Sequence, residues 1–187
     1  MTKSKNEANR RLIDRINELE KENDIQLSNT QKILLTTDGS ITAILDVLYG
    51  KISLFTIDQH FEPADEFHAK LVEVGEGEKI NFREVIMHRG GKPLIYAISH
   101  IPLSRCSENM CSDLIGADIP IGRILKNYNI ESRREIKYIY IEKPNARLEE
   151  LYNTDEDMLA REYVIISGEE ILMWIKEVFP ISYFTEI

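Results

Sequence analysis

The chain has 187 residues, 43% of them hydrophobic and 29% charged, which favours one domain with a substantial core. A formal net charge of −9 argues against a nucleic-acid partner, because phosphate neutralisation needs clustered Lys and Arg. No apolar run approaches the ~18 residues of a membrane span and the polar N-terminus lacks a signal-peptide core, so a cytoplasmic protein without a membrane partner is expected.

Residues 5–22 put Leu12, Ile13, Ile16 and Leu19 on one narrow helical face in a charged surround, so residues 1–27 read as an amphipathic N-terminal extension. The face predicts weak docking onto the body of the protein, with a partner or dimer contact as the alternative. Ser28 or Thr30 can cap a short helix carrying Ile33, Leu34 and Leu35, and Ser40 a second one carrying Ile41, Ile44, Leu45 and Leu48, ended by Gly50. The period then changes to two. Residues 51–61 and 68–74 alternate as strands, and residues 80–89 and 92–102 form a hairpin across Gly90-Gly91. Residues 104–127 read as helical, with Pro120 opening the second segment. Residues 131–143 predict a long strand, residues 146–158 an acidic, exposed connection, and residues 159–167 and 170–182 a closing hairpin turned by Gly168. Short hairpin links without strand–helix–strand alternation predict a single α+β domain over residues 28–187, an antiparallel sheet with helices packed around it.

Two charges break the apolar pattern. Arg83 shares a strand face with Val85 and Met87, and a guanidinium there needs an acceptor matched to its forked donors, best a carboxylate. Glu177 shares the last strand's face with Met173, Ile175 and Phe179, where burial makes it suited to acid–base work or to holding a hydroxyl. The bland alternative is a buried Arg83–Glu177 ion pair. Arg161 opens a strand with Tyr163 and Ile165 and either caps the sheet end or serves a ligand; Arg123, Arg133 and Arg134 read as solvated. His60, His68, His88 and His100 lie scattered on predicted strands and read as structural. Cys106 and Cys111 have no second Cys or His pair at metal spacing, so they read as reduced thiols, with a disulfide or redox role as the alternative, and no metal site is expected. Gly75-Glu76-Gly77 lacks the lysine and helix of a phosphate loop.

The order of several blocks is similar to that of the chorismate pyruvate-lyases: Phe82-Arg83-Glu84-Val85, then Gly91-Lys92-Pro93-Leu94 and Ile101-Pro102. Ile119-Pro120-Ile121-Gly122-Arg123-Ile124-Leu125 and Arg134-Glu135-Ile136 follow, then Ser167-Gly168 and Glu177-Val178-Phe179-Pro180. The resemblance covers roughly residues 28–187. It implies an enclosed apolar site that converts chorismate to 4-hydroxybenzoate and pyruvate with no metal or organic cofactor. It implies that Arg83 binds the ring carboxylate, Glu177 meets the ring hydroxyl, the Ile121 backbone amide touches the ligand, and Ser40-Ile41-Thr42 cover the site. Ile41 stands where methionine is common, a volume-conserving change. Arg161, a substrate-binding candidate, stands alone where compact bacterial members carry a denser arginine cluster, which leaves open how the second carboxylate is neutralised. A monomer or homodimer is expected.

A second reading is a non-catalytic module for small aromatic acids, because effector domains of some bacterial transcription regulators share this fold. The ~27 residues before the domain are few for a winged DNA-binding unit.

Overall fold

The computed structural model describes residues 2–116 and 118–185, with side chains from Arg11 onward. Three helices come first: α1 (Thr2–Asn23), α2 (Asn29–Thr36) and α3 (Ile41–Tyr49). Ser28 caps α2 in a reciprocal box, its hydroxyl accepting from the Gln31 N–H while the Gln31 side chain accepts from the Ser28 N–H at 2.9 Å. Ser40 caps α3 by accepting from the Ala43 N–H, and Gly50 ends that helix at φ 80°, a backbone state that favours glycine. On α1 the buried stripe is narrower than the sequence predicts: Ile16 and Leu19 pack inward, whereas Ile13 is exposed.

The rest is strand-rich. In chain order come β1 (Ser53–Pro63), α4 (Glu66–Val72), β2 (Lys79–Arg89), β3 (Lys92–Pro102), α5 (Glu108–Gly116), α6 (Ile121–Asn127), β4 (Arg133–Glu142), α7 (Ala146–Tyr152), β5 (Met158–Ser167) and β6 (Glu170–Pro180). The six strands form one antiparallel sheet in the order β1-β2-β3-β6-β5-β4. The class is α+β, as the hairpin spacing predicts. Two three-stranded halves meet where β3 pairs with β6, from Tyr96 opposite Val178 to His100 opposite Trp174.

Both faces of the sheet are covered. Leu34 and Leu35 of α2 and Ile41 and Leu45 of α3 pack on Leu54, Val85, Met87 and Ala97. Met110 and Leu114 of α5 and Ile124 and Leu125 of α6 join them on Tyr163, Ile165 and Ile175. Fully burying one such side chain is worth about 1.5–3 kcal/mol. The opposite face takes α4, through Ala69 and Val72 against Trp174, and α7, through Leu148 and Tyr152 against Tyr96 and Val178.

Two expectations are corrected. Residues 68–74 are not a strand: Asp65 accepts from the His68 N–H and caps α4, and the buried pair Ala69 and Val72 follows helical spacing, which a short stretch does not separate from alternation. Residues 146–158 are not simply an exposed connection. Asn145 caps α7, and Leu148 and Tyr152 form an i, i+4 apolar pair under its acidic surface. Among the described residues no helix is long and apolar enough to cross a membrane.

Candidate active site

Strand alternation and register assemble the site. One face of the sheet carries the row Arg161, Glu177, Ala97, Val85 and beside it the row Tyr163, Ile175, Ser99, Arg83, each running from β5 through β6 and β3 to β2. Small side chains on β3, Ala97 and Ser99, thus lie between the two anomalous charges. They floor a small, partly open cavity with Arg83 and Glu177 both in its wall. Ser40, Ile41 and Thr42 of the α3 start and Pro120, Ile121 and Gly122 of the α6 start close over it. Gly122 permits that closure, because a Cβ there would meet the Ser40 Oγ at 2.8 Å.

Arg83 is 1% exposed. Its Nη1 donates to the Ile119 carbonyl at 3.1 Å and its Nη2 to the Thr56 hydroxyl at 3.5 Å. Burial pulls its pKa below the usual guanidinium value, opposed by the negative charge of Asp118.

Glu177 is 4% exposed, and among the described residues its ion pair is with Arg161, not Arg83. Oε2 accepts from Arg161 Nε at 2.7 Å, and Oε1 accepts from the Tyr163 hydroxyl at 3.1 Å. Burial, reinforced by the Glu177 charge, raises the Tyr163 pKa, which keeps the phenol a donor. Arg161 also donates from Nη1 to the Thr37 carbonyl at 2.9 Å and lies 4.7 Å from the centre of the Tyr163 ring. It stands behind Glu177 and is not among the residues lining the cavity. Its buried Nη2 has no hydrogen-bond partner among the described residues.

Of the candidate residues, Arg83, Glu177, Ile121 and Ile41 share the cavity wall, while Arg161 fixes one of them from behind. Sequence reasoning missed Arg134. It read as solvated, yet it lines the cavity and is only partly exposed, with Nη1 donating to the Asp38 carbonyl at 3.3 Å. The signal was available: Arg134 alternates with Ile136, which packs in the core on that face of the sheet. The role of Tyr163 as a donor to Glu177 was missed too, since a tyrosine in a strand usually signals packing alone.

The family model described as Chorismate pyruvate-lyase Rv2949c-like matches residues 35–186. The chain belongs to this family. A relative at 40% identity over 162 residues, 83% of this chain and 80% of its own length, is "Putative lyase MJ0807" of Methanocaldococcus jannaschii. Among solved structures, the effector domain of PhnF from Mycobacterium smegmatis superposes with a TM-score of 0.65 at 15% identity, covering 78% of this chain and 90% of its own. A GntR-family transcriptional regulator from Enterococcus faecalis V583 gives 0.59 at 14% identity, covering 72% and 98%. At these identities the likeness is one of fold. The chorismate pyruvate-lyase family and the regulator effector domains therefore share one architecture, and the cavity side chains must distinguish their uses.

Proposed function

We propose that the protein is a chorismate lyase that converts chorismate to 4-hydroxybenzoate and pyruvate in the cavity between β2 and β6. The observation that carries this reading is the placement of Arg83 and Glu177 at separate points of one cavity wall, with Glu177 held by Arg161 and Tyr163. Strands β2 and β6 flank β3, so their backbones lie about 10 Å apart. Chorismate has its ring carboxylate and ring hydroxyl at opposite ends of a six-membered ring. Arg83 takes the carboxylate and Glu177 the hydroxyl, so the ring spans the Ala97–Ser99 floor. Arg134 is the cation for the enolpyruvyl carboxylate, and the Ile121 backbone amide meets the ligand at the roof. Arg161 orients Glu177 from behind the cavity wall.

The reaction breaks the ring C3–O ether bond and removes the hydrogen at C4. The ring becomes aromatic, and the departing enolpyruvate gains a proton at its methylene carbon to become pyruvate. Aromatisation drives the step, so the protein mainly orients the ether and balances charge on the leaving oxygen. Glu177, fixed by two donors, sets the orientation of the C4 hydroxyl and is placed to assist the proton. Arg83 supplies a charge-assisted bond worth about 1.5–3 kcal/mol, roughly 10- to 150-fold in affinity.

Purified protein incubated with chorismate should release equimolar 4-hydroxybenzoate and pyruvate without added metal or cofactor. Arg83→Ala should raise KM and Glu177→Gln should chiefly lower kcat; unchanged kinetics in both would remove these roles. The effector-domain fold supports a second reading, a non-catalytic aromatic-acid-binding domain. Saturable 4-hydroxybenzoate binding with no pyruvate release would favour that reading.

A further inference from the structure

On the sheet face opposite the cavity, three elements bring two histidines and a glutamate together. Glu62 ends β1, His68 lies in the first turn of α4, and His100 lies near the end of β3. One ligand-capable atom of each lies within 4.8 Å of those of the other two. The alternation that turns Ala97 and Ser99 into the cavity turns His100 away from it. A tetrahedral ion with bonds of 2.0–2.1 Å needs its donors about 3.4 Å apart, so side-chain adjustments of roughly 1 Å close the triangle.

The state of each donor suits a metal. His100 is 6% exposed, and its Nδ1 is buried with no hydrogen-bond partner among the described residues, 3.9 Å from Glu62 Oε1. Packing alone would orient that nitrogen towards a protein acceptor or donor, because an unmet buried polar atom costs about 1–3 kcal/mol. His68 Nδ1 lies 2.9 Å from Asp65 Oδ1, the carboxylate–histidine contact typical of metal ligands. Glu62 and His68 are partly exposed, which gives an ion a route in and leaves water to complete its shell.

We infer that Glu62, His68 and His100 form a binding site for a borderline first-row divalent cation of the Zn²⁺ type. Two imidazoles and one carboxylate favour such ions over Mg²⁺ or Ca²⁺, which prefer oxygen donors. The ion would tie α4 to the β1–β3 edge of the sheet, on the far side from the cavity, so the site stands whether or not the cavity reacts with chorismate.

Titrating the full chain with Zn²⁺ by calorimetry, and with Co²⁺ by visible absorption, tests this. One ion should bind with a Kd in the micromolar range or below and raise the melting temperature. Glu62→Gln and His68→Asn, both at partly exposed positions, should each weaken binding at least tenfold while leaving the metal-free melting temperature and circular dichroism nearly unchanged. Absence of saturable binding to the wild-type chain, or equal affinity in both variants, would overturn the inference. So would a cobalt–thiolate charge-transfer band surviving in the variants, since that places the ion on Cys106 and Cys111.

Discussion

The buried contact between Arg161 and Glu177 offers the sharpest test of how the site is held. Arg161 is fully buried and Glu177 nearly so, and Nε meets Oε2 at 2.7 Å. Arg161→Met leaves a dry carboxylate with Tyr163 as its remaining described donor; Glu177→Leu leaves a dry guanidinium with the Thr37 carbonyl as its remaining described acceptor. Each single change should cost about 3–5 kcal/mol of unfolding free energy, because an uncompensated buried charge remains. The double variant removes both charges and should lie within about 2 kcal/mol of wild type, giving a coupling of at least about 4 kcal/mol. Urea denaturation of the four proteins, compared at equal m-values, measures it. Additivity of the two losses within about 0.5 kcal/mol would refute the claim that Glu177 depends on Arg161. The double variant should also be inactive, which separates a fold repaired from a site lost.

Three further outcomes are expected. Gly122→Ala should distort the Ser40 cap and the cavity roof, lowering activity and costing about 1 kcal/mol of stability, and Ser40→Gly should rescue the stability because glycine is a tolerated cap. Arg134→Gln should raise KM for chorismate by roughly tenfold with less than about 0.5 kcal/mol lost in urea titration; unaltered KM would exclude it as the second cation. Burial, with Cys111 beside it, pushes the Cys106 thiol up to about 12, so alkylation of the folded protein at pH 8 should be far slower than in urea. The same shift means that between pH 9 and 12 the unfolded chain sheds this proton and the folded one keeps it. Stability from Cys106 is therefore full below pH 9 and declines as pH rises towards 12, readable as a falling urea midpoint.

Period-two patterning located β1, β2, β3, β4, β5 and β6 because each places apolar side chains in or against the core. The charges that broke the pattern, Arg83 and Glu177, line the cavity for the same reason: a charge in an apolar stripe is costly and so conspicuous. What the sequence hid was pairing. Arg161 stands 16 residues from Glu177 in the chain, and only the β5–β6 register shows that they are opposite each other. Arg134 escaped notice because an arginine near the start of a strand beside another arginine looks like a solvated end. His68 and His100 look scattered in the sequence because residues 68–74 alternate like a strand, and a seven-residue helix presents too few turns to reveal its period.

The seam between β3 and β6 has a consequence for how the cavity is set. Five residue pairs join the halves there, against nine or ten at each other junction. Arg83 travels with one half, Glu177 and its clamp with the other. A small shear along this short join would alter the gap between the two anchors without unpicking either half, and a slip of two residues would shift one past the other by nearly 7 Å. The ruler that measures the guest molecule is thus the least extensively bonded line in the sheet.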